Sequence, residues 1–165
     1  MKLLLVALLV LQAGATARAQ ETDPSGLVVA IVEASLERGH PMDPKTDSTL
    51  LIDLESFATN LSDATGRARS VEAIGTYVSA SRRAYRRVAD PVECGRTEPP
   101  CFMRHPGVHV ALRKLVQDRG EWLATVQITF ASKWESGVAT EVVRFRLAQR
   151  PGGWSVTATE VLLQS

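Results

Sequence analysis

Residues 108–164 read VHVALRKLVQDRG-EWLATVQITFASKWESG-VATEVVRFRLAQRPGG-WSVTATEVLLQ, and apolar residues recur at every second position through most of this stretch. Side chains alternate between the two faces of a β-strand, so this period predicts strands with one buried face. We expect a four-strand antiparallel meander. Its apolar positions are Val108, Val110 and Leu112; then Trp122, Ala124, Val126, Ile128 and Phe130; then Val143, Phe145 and Leu147; and finally Trp154, Val156 and Ala158.

The turn between the first two strands predicts how they pair. Asp118–Gly120 fits a three-residue loop that ends in a left-handed glycine. That loop sets apolar residues opposite one another, in the pairs Leu112–Val126, Val110–Ile128 and Val108–Phe130.

The other two connections complete the predicted register. Arg150–Gly153 fits a four-residue turn, which pairs Leu147 with Trp154. The longer loop at 132–140 is expected to set Ile128 beside Phe145. Every row across the sheet is then apolar, and a slip of one residue would expose half of these side chains. One predicted row is Val110, Ile128, Phe145 and Val156.

The N-terminal half predicts two amphipathic helices. One opens at Asp23–Ser25 and carries an apolar stripe at Leu27, Val28, Ile31, Val32 and Leu36. The second runs from Ser70 to about Ala89 and stops before a proline. Between them, the apolar run at Leu50–Leu54 predicts a short strand that Phe57 extends, with a helix as the alternative. The fold class is therefore α+β: a curved antiparallel sheet covered by two N-terminal helices.

The first 19 residues predict a signal peptide, because a basic start and an apolar run precede the cleavage pattern Ala17-Arg18-Ala19. We expect one exported domain at residues 20–165, in the periplasm or the exterior, and no membrane span. Removing the signal peptide takes away Lys2 and Arg18 and no acidic residue, which leaves a net charge near −1. Such a balance gives no general attraction to nucleic acid.

The order helix, strand, helix, meander resembles the nuclear-transport-factor-2-like (NTF2-like) superfamily, also called SnoaL-like or cystatin-like α+β. The residues that carry the resemblance are Ser70–Tyr77, with the sequence SVEAIGTY, and Gly152–Val156, with the sequence GGWSV. The resemblance implies a cone-shaped sheet with a pocket. The chain departs from the family's pattern because it has less helix before the first strand and an insertion at Cys94–Cys101. That superfamily includes enzymes, binding modules and partner-recognition domains. The resemblance therefore indicates the fold and does not determine the function.

Cys94 and Cys101 are the only two cysteines, and in an exported chain an even count predicts a disulfide. The alternatives are free thiols or zinc, because His105 and His109 complete the spacing C-x6-C-x3-H-x3-H. Pro106-Gly107 separates the two histidines, which argues against zinc, and we expect no metal site and no cofactor.

Two groups of arginines are candidate binding residues. The run Ser81–Arg87 holds four arginines around Tyr85; a solvated helix face with the tyrosine turned to the core explains it better than nucleic acid does. Arg144 and Arg146 lie on the polar face of the third strand of the meander. With Thr129, Gln127, Thr157 and Ser155 as neighbours, they form either a site for a carboxylate or phosphate or simply the wet face of a half-buried sheet.

Catalytic motifs of the common hydrolase, metalloprotease and nucleotide-binding types are missing from the sequence. The predicted inward rows contain no titratable residue, and Asp53 is the one acid in an apolar context. Glu160 interrupts the last strand and suggests a bulge. We expect a non-catalytic exported domain that binds a small molecule or a protein. The alternatives are an isomerase or hydrolase of the same fold acting on an apolar substrate, and a module that forms a homodimer through the sheet.

Overall fold

The computed structural model describes residues 24–38, 49–61, 64–81, 84–95, 101–131 and 137–165. The elements are α1 (Pro24–Arg38), β1 (Leu50–Ile52), α2 (Leu54–Asn60), α3 (Ala64–Ser81), β2 (Tyr85–Arg87), β3 (Val92–Glu93), β4 (Phe102–Met103), β5 (Val108–Asp118), β6 (Glu121–Ala131), β7 (Val138–Arg150) and β8 (Gly153–Gln164). The predicted signal peptide and cleavage site lie outside the described residues. No helix within those ranges is long and apolar enough to cross a membrane.

The fold is α+β with a mostly antiparallel sheet of six strands in the order β2-β1-β5-β6-β7-β8. The four-strand meander is confirmed as β5 to β8. The short strand β1 pairs in parallel with both β2 and β5, so it lies between two strands that follow it in the chain. β3 and β4 form a separate two-stranded hairpin.

The helical layer differs from the prediction in two places. The predicted second helix at Ser70–Ala89 begins earlier and ends at Ser81, and Tyr85–Arg87 form β2, because they pair with β1. The predicted strand at Leu50–Leu54 ends at Ile52, where Asp53 caps α2 by accepting a 3.1 Å hydrogen bond from the Ser56 amide. Three described helices therefore stand where two were predicted.

The β5–β6 pairs predicted between apolar residues are confirmed, but the turn is shorter than predicted. Asp118 pairs with Glu121, so the loop is the two residues Arg119 and Gly120, both with positive φ (51° and 86°). Two-residue hairpin loops favour this conformation because it matches the strand twist. A bulge at Arg113 absorbs the extra residue and turns Leu115 onto the same face as Leu112.

The β6–β7 register is shifted by four residues from the prediction. Phe145 lies opposite Ala124 and not beside Ile128, which instead faces Glu141. The parity of the prediction is right, because a shift of four returns each side chain to its own face. The observed register continues the ladder as far as Ala131 and Val138, and so adds backbone hydrogen bonds that the predicted longer loop would have left out.

The β7–β8 register is also different. Arg150 pairs with Gly153, and Leu147 therefore faces Val156 and not Trp154. The bulges lie at Thr157 and Leu162, where the register shifts, and not at Glu160. Because Thr157 adds a residue, Ala158 lies on the opposite face from Val156. Val156 was predicted to be buried, but it is 36% exposed because β8 is an edge strand.

The core lies between the helices and one face of the sheet, which we call the inner face. The predicted α1 stripe is buried, as are Phe57 of α2 and Ile74 of α3. α1 packs along β8, with Gly26 near Trp154, and Arg38 in its last turn pairs with Glu141 of β7. Beyond the end of β1, α2 replaces the missing strand neighbour of β5: the Ser56 hydroxyl accepts from the Leu112 amide (3.0 Å), and the Asn60 amide donates to its carbonyl (2.8 Å).

Candidate functional site

The inner face of the sheet is packed with side chains. Phe145 and Leu147 are 2% and 0% exposed, Phe130 is buried, and Trp154 packs against the same cluster from the edge. Phe130 and Phe145 belong to the same core cluster as the buried stripe of α1.

One acid lies on the inner face, where no titratable residue was predicted. Glu141 lies opposite Ile128 and is 7% exposed. Its carboxylate Oε2 is 2.8 Å from Nε of Arg38, which is in the last turn of α1. The signal was present, because Glu141 has the same parity as Val143 and Phe145. The ion pair joins the end of α1 to the sheet.

The disulfide between Cys94 and Cys101 is confirmed, with 4.2 Å between the two Cα atoms. It lies at the β3–β4 hairpin, where Val92 pairs with Met103. No described group of three or more His, Cys, Asp or Glu residues could hold a metal ion.

His109 lies on the outer face of the sheet, and it is nevertheless 2% exposed. Its Nε2 donates a 2.8 Å hydrogen bond to the carbonyl of Val88, in the segment that leads from β2 to the β3–β4 hairpin. No described group pairs with Nδ1. Burial lowers the pKa of His109 from its ordinary value of 6.5, against the opposing effect of the Val88 bond. The histidine therefore holds this segment to the sheet in its neutral form.

A pH dependence of stability follows from that lowered pKa. As the pH falls below about 6.5, the unfolded chain takes up a proton at His109 before the folded chain does, so stability is lost. Asp53 and Asp90 oppose the shift and Arg113 adds to it. Urea unfolding at pH 7.5 and pH 5.5 should show a smaller pH effect in His109→Gln than in the natural protein. His105→Gln is the matched control, and an unchanged pH effect in His109→Gln would contradict this assignment.

Arg144 and Arg146 lie on the outer face, as predicted, but their neighbours differ because of the register shift. Each faces a carboxylate: Arg144 Nη1 lies 3.1 Å from Glu160 Oε2, and Arg146 Nη1 lies 2.9 Å from Glu121 Oε2. The bond to Glu121 raises the pKa of Arg146. A carboxylate or phosphate would compete with these acids, and an anion site at the two arginines remains a prediction.

The run Ser81–Arg87 is not a single helix face. α3 ends at Ser81, and the described residues Tyr85, Arg86 and Arg87 form β2. Tyr85 packs against the core, as predicted, while both arginines are exposed. Nη1 of Arg86 lies 3.4 Å from Nδ1 of His105.

A groove of about 450 Å³ lies between α1 and α3. Its walls are mostly small or apolar: Gly26, Val29, Ala73, Thr76, Tyr77 and Ala80. Ser25, Arg69 and Glu72 give it one polar end, where the Ser25 hydroxyl lies 3.5 Å from the Arg69 carbonyl. The groove could not be predicted from the sequence, because it depends on how two helices pack and not on a motif in either helix.

Comparison with family models, curated proteins and solved structures finds no match.

Proposed function

We propose that this chain is an exported, non-catalytic domain of NTF2-like type that binds a small apolar molecule in the groove between α1 and α3. The observation that carries the proposal is the groove itself. Its volume lies within the range of small-molecule sites, about 300–1,000 Å³, and such sites are typically apolar with a few polar groups that orient the ligand.

The lining suggests the chemistry of the ligand. Ala73 and Ala80 present little side chain, so an apolar ligand can approach the backbone of α3 closely. Arg69 and Glu72 are exposed at one end, where a polar group of the ligand would remain in water. A compact apolar molecule with one polar end fits this arrangement.

The alternative, an isomerase or hydrolase of the same fold, needs an acid or base directed at a substrate. On the inner face, the residue placed to act as a general acid or base is Glu141. Its carboxylate is paired with Arg38 at 2.8 Å, and the residue is 7% exposed. These contacts favour binding over catalysis.

Replacement of Ala73 with phenylalanine tests the groove. The ring would occupy the space between the two helices, so a bound apolar probe should be weakened by roughly tenfold or more. The probe is anilinonaphthalene sulfonate, an apolar fluorophore with one anionic end, titrated against the folded protein. Ser79→Phe, on an exposed and non-lining position of the same helix, is the matched control.

Equal probe affinity in Ala73→Phe and Ser79→Phe would contradict the proposal. The natural ligand is sought by native mass spectrometry of protein taken from the exported fraction. A retained mass that is lost in Ala73→Phe and kept in Ser79→Phe would identify it.

A further inference from the structure

We infer that two copies of this chain associate through β8, which pairs antiparallel with β8 of the second copy about a two-fold axis at Thr159. β8 is the last strand in the hydrogen-bonded order of the described sheet. One side of its 12-residue backbone therefore presents N–H and C=O groups that no described strand pairs. Such an edge favours the addition of another strand.

Exposed apolar side chains are concentrated on the same strand. The described residues include seven large hydrophobic side chains that are exposed, and four of them are in β8: Val156 (36%), Val161 (42%), Leu162 (40%) and Leu163 (56%). Edge strands of monomeric proteins are usually protected by charged side chains, proline, β-bulges or a covering helix or loop, and of these β8 has two bulges and contact with α1. β8 contains neither lysine nor proline, and its one charged residue, Glu160, is paired with Arg144 of the adjacent strand.

The positions of the two bulges permit β8 to pair with itself. A bulge on one strand shifts its register, so a two-fold ladder continues only where the shifts cancel. Measured from Thr159, one bulge lies towards each end of the strand, at Thr157 and at Leu162. The two shifts therefore cancel, and the ladder realigns at Trp154 of one copy and Gln164 of the other.

The residues that this pairing sets opposite each other lie on the same face of the sheet and are chemically compatible. Val156 and Val161 both lie on the inner face, because they pair with the buried residues Leu147 and Val143. Pairing about Thr159 places Val156 opposite Val161 of the second copy, twice per dimer. Thr159 faces its own equivalent, and threonine pairs of this kind are favourable across strands.

The charges do not oppose the association. Ala158 and Glu160 lie on the outer face, where they pair with Arg146 and Arg144. In the two-fold register Glu160 faces Ala158 of the second copy, so the two carboxylates are not opposite each other. A second copy therefore supplies both a strand and a matching apolar surface. This inference does not depend on the groove between α1 and α3.

The test is the molar mass of the mature protein, measured by light scattering during gel filtration across a range of micromolar concentrations. A dimer is expected for the natural sequence. The double variant V156K/V161K sets lysine opposite lysine at both valine pairs, and it should raise the dissociation constant by roughly tenfold or more. The double variant V156K/V161E sets lysine opposite glutamate at the same two places and should return the dimer.

Val71→Lys, at an exposed apolar position on α3, controls for the loss of an apolar side chain and should remain dimeric. Far-UV circular dichroism and thermal melting confirm that each variant is folded. A monomeric natural protein would overturn the inference, and it would leave a strand from another protein as the occupant of the edge. Equal dissociation in V156K/V161K and V156K/V161E would overturn the register about Thr159.

Discussion

Replacement of Gly107 with alanine is expected to destabilise the fold by roughly 3 kcal/mol or more, as a sum of backbone strain and steric overlap. Gly107 has φ +145°, a conformation that side-chain-bearing residues rarely adopt. A Cβ atom there would also meet the carbonyl oxygen of Thr49. That oxygen cannot move away freely, because it accepts the 3.1 Å hydrogen bond from Val108 that begins the β1–β5 pairing.

Urea unfolding measures this loss, and Gly75→Ala is the matched control. Gly75 lies inside α3, and a Cβ atom added there meets nothing within 4 Å. Because alanine is the better helix former, Gly75→Ala should stabilise the protein by about 0.5–1 kcal/mol. A change of less than about 1 kcal/mol in Gly107→Ala would show that the approach to Thr49 is not close.

Replacement of Phe145 with alanine is expected to cost about 3–5 kcal/mol, as for other core aromatic residues. Phe145 is 2% exposed at the centre of the inner face, where it lies opposite Ala124 on β6 and Thr159 on β8. The Ala124 side chain is too small to fill the cavity that the missing ring would leave.

Denaturant unfolding checks the cost, with Val71→Ala as the control. Val71 is 37% exposed on α3, so its replacement should alter stability by less than about 0.5 kcal/mol. If Phe145→Ala fails to fold, Phe145→Leu gives a smaller loss at the same position. A cost below about 1.5 kcal/mol for the alanine variant would contradict the packing around this ring.

Alternation could predict the strands of the meander and their faces, but not every pairing. Val126 and Phe145 remain on the inner face under any even shift, so parity alone does not separate the predicted register from the observed one. The bulges at Thr157 and Leu162 have no signal in the local sequence. The β5–β6 pairs between apolar residues were predicted correctly although the turn was not, because the bulge at Arg113 compensates for the shorter Arg119-Gly120 loop.

The remaining differences come from contacts distant in sequence. Tyr85–Arg87 resemble a helical continuation of α3, and they become a strand because β1 supplies a partner. Glu141 is compatible with an apolar row because Arg38, 103 residues away, meets its carboxylate. The disulfide could be predicted because the sequence has two cysteines and begins with an expected signal peptide. The groove could not be predicted because it forms where α1 packs against α3, and the sequence of either helix alone does not specify that packing.

The edge of the sheet opposite β8 determines how far strand addition can proceed. β2 has three residues, and its Arg86 and Arg87 are exposed. A strand this short and this positively charged offers little to a neighbouring copy. In the proposed pairing, β8 is the edge that accepts a strand, and that edge is occupied in both copies. The proposed association would therefore end at a closed pair and would not propagate into a fibre.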